Sequence, residues 1–209
     1  MKETKIKHPE WLQVEMNGKH SYGYNQEWYY DGWQVVAGCG PTTATQVMSY
    51  IAFRDGLLDL SQQADGEAAL KRMETMFNYV KPRYGGGVFK VDWLQHGLDK
   101  FCKERQLPYQ AQALAITPFM ITNTVIKKAV SFVRAGLASD SPVAFLNRHR
   151  GEEKELYTWH WVPIVSMKET DDDVTCVVYD DERARTFSLL HWLKSTALGG
   201  GFSYLIKKD

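Results

Sequence analysis

The sequence predicts an α+β fold, helical in its first part and sheet-rich in its second. Two patterns carry that expectation. Apolar residues recur at helical spacing in the stretches after Cys39, Glu67 and Thr122. From Pro142 onward, short β-branched and aromatic runs alternate with polar turns such as Asp171-Asp172-Asp173. A length of 209 residues suffices for one core, or for two lobes sharing a cleft. The chain shows no internal repeat and no low-complexity segment.

In order, Met1 to Trp11 is charged and lacks the apolar run of a signal peptide, so a cytoplasmic location is expected of the sequence as written. The alternative is secretion or surface display, if a leader precedes it. Trp11 to Trp33 is rich in aromatics without a sustained period and reads as irregular structure clamped on the core or lining a groove. Ala44, Val47, Met48 and Ile51 form one face of a helix running to Phe53. Leu70, Met73, Phe77 and Val80 mark a second helix, Glu67 to Val80, ended by Pro82. Gly85-Gly86-Gly87 reads as a flexible loop; no Lys-Ser or Lys-Thr follows it, which argues against phosphate binding. Leu94, Leu98 and Phe101 mark a third helix, and Tyr109 to Ile116 alternates like a strand.

Pro118 precedes a helix from Thr122 to Ala135 that Gly136 is expected to end. Strands are expected at Val143 to Leu146, His160 to Met167, Val174 to Tyr179, Arg185 to Leu189 and Phe202 to Ile206. The active site of such a design lies in the cleft between its two parts.

Lysine plus arginine and aspartate plus glutamate number 25 each, so no overall field favours nucleic acid or an anionic membrane. No apolar run is long enough to span a bilayer. Cys39, Cys102 and Cys176 are widely spaced and odd in number, which argues against a disulfide framework and against a zinc or redox pair. No metal or cofactor is expected.

The chemistry centres on Gly38-Cys39-Gly40-Pro41-Thr42. A sulfur at a helix start meets unpaired backbone N–H groups and the positive end of the helix dipole, an environment suited to a nucleophile. Pro41 fits a first turn, because its missing N–H would be unpaired there anyway. Set against this, an isolated cysteine is most often inert packing, so a base is required. His160, which opens the run His160-Trp161-Val162-Pro163-Ile164-Val165, is the candidate, placed where a strand edge can present its ring to the helix start. His149 lies between two arginines and His191 on a short apolar helix, while His8, His20 and His96 lack supporting context. Asp180, at the end of the following strand, can orient the imidazole, with Asp181 as its close rival.

These residues resemble the C39 and C39-like cysteine peptidases of bacteria: the Cys-Gly-Pro-Thr helix start, His160 to Met167, an aspartate closing the next strand, and a final Gly199-Gly200-Gly201-Phe202-Ser203-Tyr204 strand. The resemblance implies a papain-like two-lobe domain, with a helical lobe over about 1–135 and an antiparallel sheet lobe over about 142–209. Cys39 is then the nucleophile, His160 the base and acid, Asp180 the orienting residue, and the substrate a peptide or protein. The family's glutamine six residues before the cysteine is replaced by Trp33. Gln34 is the expected oxyanion donor in its stead, with Trp33, Asn25 and Gln26 as alternatives. The same residues also suit an acyltransferase or amidase, or a silent peptide-binding module.

Overall fold

Every residue from Gly40 to Phe53 is buried, so the helix that begins at the cysteine is enclosed all round rather than along one face. That enclosure departs from the one-sided pattern of the sequence, and several of the buried polar side chains find partners, although Thr42 Oγ1 does not. Thr45 Oγ1 donates to the Pro41 carbonyl at 2.7 Å, and Gln46 Oε1 accepts from the Tyr24 N–H at 3.1 Å. The Tyr50 hydroxyl donates to Asp140 at 2.6 Å.

The computed structural model describes residues 1–208; Asp209, the last residue of the expected sheet lobe, lies outside the described residues. In chain order the elements are β1 (Lys2–Lys5), β2 (Gln13–Met16), β3 (Lys19–Tyr22), α1 (Gly32–Ala37), α2 (Cys39–Arg54), α3 (Gly66–Phe77) and α4 (Val91–Glu104). Then follow β4 (Tyr109–Ile116), α5 (Asn123–Ala138), β5 (Val143–Asn147), β6 (His160–Glu169), β7 (Val174–Asp180), β8 (Arg183–Ser188), α6 (Leu189–Ser195) and β9 (Gly200–Lys207). The protein is α+β, with its helices mostly N-terminal and an antiparallel sheet mostly C-terminal. Among the described residues, no helix is long and apolar enough to cross a membrane.

The main sheet has the order β4-β9-β5-β6-β7-β8, with β1 on β6 as a further strand. Every pairing is antiparallel. Two of its strands come from the part of the chain expected to be helical. β1 pairs with Ser166–Glu169, continuing the line of β5, whose own pairing covers His160 to Ile164. β4 pairs with β9 along its whole length.

Three local expectations are corrected. Trp11 to Trp33 is not irregular throughout: β2 and β3 form a hairpin whose Asn17-Gly18 turn has both φ values positive, 52° and 73°. The same segment leads into α1, capped by Asp31, which accepts from the N–H groups of Trp33 and Gln34 at 2.9 and 3.1 Å. Gly136 does not end α5; the helix continues to Ala138, and a Cβ at Gly136 would meet Val143 and lie 2.9 Å from the Tyr204 ring. That glycine therefore serves close helix-on-sheet packing. Leu189 starts α6 rather than ending a strand, because Ser188 caps the helix by accepting from the His191 N–H at 3.0 Å.

Candidate active site

Gly38, in helical conformation, joins α1 to α2 almost end to end and leaves Cys39 as the first residue of the buried helix. The flanking glycines are required by what touches them. A Cβ at Gly38 would come within 2.6 Å of the Tyr29 ring, and one at Gly40 within 2.8 Å of the Val88 side chain. The Trp161 indole N–H donates to the Val88 carbonyl, so the loop that passes over Gly40 is tied to β6.

His160 is the first residue of β6 and Asp180 the last of β7. The register pairs Ile164 with Val178. Extended along both strands, it sets Asp180 opposite Val162, on the same sheet face as His160 and diagonal to it. Asp180 Oδ1 lies 2.7 Å from His160 Nε2. That contact occupies one ring nitrogen, Nε2, and the Cys39 sulfur, which lines the same cavity as the ring, lies near enough to raise the ring's proton affinity. The imidazole is 20% exposed and the carboxylate 6%. Burial alone pulls the ring toward neutrality. The Asp180 and Cys39 hydrogen bonds, with the charges behind them, outweigh it and hold the His160 pKa up at about 10.

A stability consequence follows from the sign of that shift. The folded state keeps a proton that the unfolded ring releases near its ordinary value of 6.5. The contribution is therefore complete below about pH 6.5 and is lost as pH rises through about 10. Urea midpoints of the wild type and a His160→Gln variant, compared across that range, should converge with rising pH.

Asp180 and Asp181 are separated by the end of the strand. Asp181 and Glu182 form the two-residue turn between β7 and β8, with φ of 52° and 64°. Asp181 is exposed and sits 3.4 Å from Arg185 and from the Tyr157 hydroxyl, not against His160. Asp180 Oδ2 is buried without a hydrogen-bond partner, and Arg185 Nε stands 3.9 Å away. Sequence reasoning missed Glu182. Its carboxylate accepts from the Trp28 indole at 3.1 Å and the Asn25 amide at 3.4 Å, fastening the N-terminal segment over the site.

Two cavities meet at Cys39 and share only it and Trp161. One, of about 260 Å³, is polar and includes Gln26, Glu27, Thr42, His160 and Asp180. The other, of about 660 Å³, runs between the Gly85–Gly87 loop and Trp159. In that second cavity Trp33 stacks on Tyr84 at 4.6 Å, and Trp159 is 53% exposed. Trp159, immediately before His160, has φ of 59°, an unusual conformation for so bulky a residue.

Gln34 belongs to α1 and lines neither cavity, whereas Gln26 lines the one that holds His160. The Gln26 side-chain N–H donates to the Val35 carbonyl at 2.7 Å, and its Oε1 is buried without a partner. The other two cysteines are buried, and burial pushes the Cys102 thiol up to about 11 and the Cys176 thiol higher still. His191 is held between Glu152 and Glu153, and His149 Nδ1 accepts backbone N–H groups, both away from the sulfur. Among the described residues, no group of three or more His, Cys, Asp and Glu is placed to hold a metal ion.

Fold and site together define an α+β protein with a Cys–His–Asp cluster at the junction of two cavities. No protein-family model matches the chain, and no curated protein matches it either. Among solved structures it is similar to UfSP from C. elegans, at 10% identity and a TM-score of 0.45. The alignment covers 100% of this chain and 34% of that one, so the chain spans about a third of UfSP's length. At that identity and score the likeness assigns neither family nor activity.

Proposed function

We propose that the protein is a papain-like cysteine hydrolase that cleaves peptide or amide bonds through a thioester on Cys39. One observation carries the reading: an imidazole bonded to a buried carboxylate shares a cavity with a sulfur at a helix start, and a second cavity reaches the same sulfur from another side. Cys39 Sγ attacks the carbonyl carbon, and the C–N bond breaks as His160 delivers its proton to the departing amine. Water then attacks the thioester, His160 takes its proton, and the sulfur is released. Asp180 fixes the ring tautomer and supports its charged form. The aromatic cavity suits an apolar stretch of peptide, and the polar one the leaving side.

The Cys39 backbone N–H and the Gln26 side-chain amide are the proposed oxyanion donors, because Gln26 and not Gln34 lines the cavity beside the sulfur. The expected result with a pool of quenched peptides is hydrolysis that falls about 10²- to 10³-fold in Gln26→Ala. Gln34→Ala should change it less than about threefold. The reverse order would return the role to Gln34. Peptide binding without any turnover would leave a binding module, and capture of the acyl group by an added amine in place of water would make the enzyme a transferase.

A further inference from the structure

Gln26 opens a single helical turn, Gln26–Trp28, beside the cavity that holds His160. Residues on both sides of it are hooked to one atom. Glu182 Oε1 accepts from the Asn25 side-chain amide at 3.4 Å and from the Trp28 indole at 3.1 Å. The Glu182 carbonyl adds a third tie by accepting from the Tyr22 N–H at 3.2 Å. Asn25 is 7% exposed, so its amide has lost water and needs that acceptor. Its Oδ1 meanwhile caps the turn by accepting from the Glu27 N–H at 2.9 Å.

Glu182 reaches this segment from an unfavourable backbone. Its φ of 64° lies in the left-handed region, where glycine sits without steric cost and a residue with a Cβ does not. A glutamate there needs a compensating contact, and the two hydrogen bonds of its carboxylate supply one. The turn it belongs to follows Asp180 directly, so the segment that carries Gln26 is tied to the strand end that carries the orienting carboxylate.

We infer that Glu182 is a positioning residue for the oxyanion donor: it fixes Gln26 against the cavity without touching the reacting atoms. The inference rests on the role proposed above for Gln26. The Gln26 amide makes its own bond to the Val35 carbonyl, which sets the side chain, while Glu182 sets the turn from which that side chain extends. A donor displaced by about 1 Å can cost about 10²-fold in rate.

The test is steady-state kinetics on a quenched peptide that the wild type cleaves, arranged as a double-mutant cycle. Glu182→Gly removes the carboxylate while suiting the left-handed backbone, so the turn should stay folded. Its kcat should fall about 10- to 10²-fold with KM changed less than about threefold. In Gln26→Ala, which has already lost the donor, the same substitution should lower kcat less than about threefold further. Glu182→Gln keeps an acceptor oxygen at the Oε1 position and should restore kcat to within about threefold of the wild type. Gln26→Ala without effect, or no cleavage of any peptide, would overturn the role of Gln26 and this inference with it. A Gln26→Ala loss beside wild-type turnover in Glu182→Gly would overturn this inference alone. So would an equal fall in both backgrounds, or a Glu182→Gln variant as slow as Glu182→Gly.

Discussion

Replacing Cys39 by alanine is expected to lower peptide hydrolysis by about 10⁶-fold, the loss typical of removing a nucleophile that acts as one unit with its base. The substitution is mild for the fold. Cys39 is only partly buried, it opens a helix, and alanine is the strongest helix former. The Asp180–His160 contact does not involve the sulfur and should persist. Circular dichroism and a urea midpoint close to the wild type, beside lost turnover in a quenched-peptide assay, is the expected pair of results. Turnover that survives the substitution would move the chemistry to another residue.

Asp180→Asn is expected to cost up to about 10⁴-fold in turnover, as neutralising the orienting carboxylate of a comparable triad does. Asparagine has the same shape, so the strand end and its pairing of Asp180 with Arg183 should hold. What changes is the ring. Burial lowers its proton affinity, and the Asp180 hydrogen bond leads the contributions that raise it. Without that carboxylate, the His160 imidazolium should titrate well below about 10, which NMR of the ring protons would show directly. A ring titration unchanged by the substitution would mean that Asp180 does not support the charged form.

The parts of this architecture that rest on local pattern can be read from the chain. The 3.6-residue spacing of Leu70, Met73 and Phe77 marks α3, and the alternation from Tyr109 to Ile116 marks β4 residue for residue. What local pattern omits is partnership. Nothing in Tyr109–Ile116 says that its neighbour is β9, and nothing in the charged Lys2–Lys5 says that it will lie on β6. The Asn17-Gly18 pair is a legible hairpin signal, obscured by the aromatic residues on either side.

At the site, the order Cys39, His160, Asp180 is visible because each stands at the end of a recognisable element, and the structure brings the three together. The amide beside the sulfur is different. The spacing of the resembled family falls on Trp33, with the adjacent Gln34 as the expected stand-in, but Gln34 lines neither cavity, while a turn near the N-terminus brings Gln26 into one. The Gly85–Gly87 loop, a mere spacer in the sequence, borders the larger cavity. Glu182 carries no motif at all; its role as a fastener exists only once the turn after β7 is folded against Trp28.

The most direct measurement is the mass of the intact protein after incubation with a peptidyl electrophile, followed by mapping of the modified residue. One adduct is expected, on Cys39, formed quickly in the wild type and at least about 10²-fold more slowly in His160→Ala. An adduct on Cys102 or Cys176, or labelling of Cys39 at the same rate without the imidazole, would contradict it.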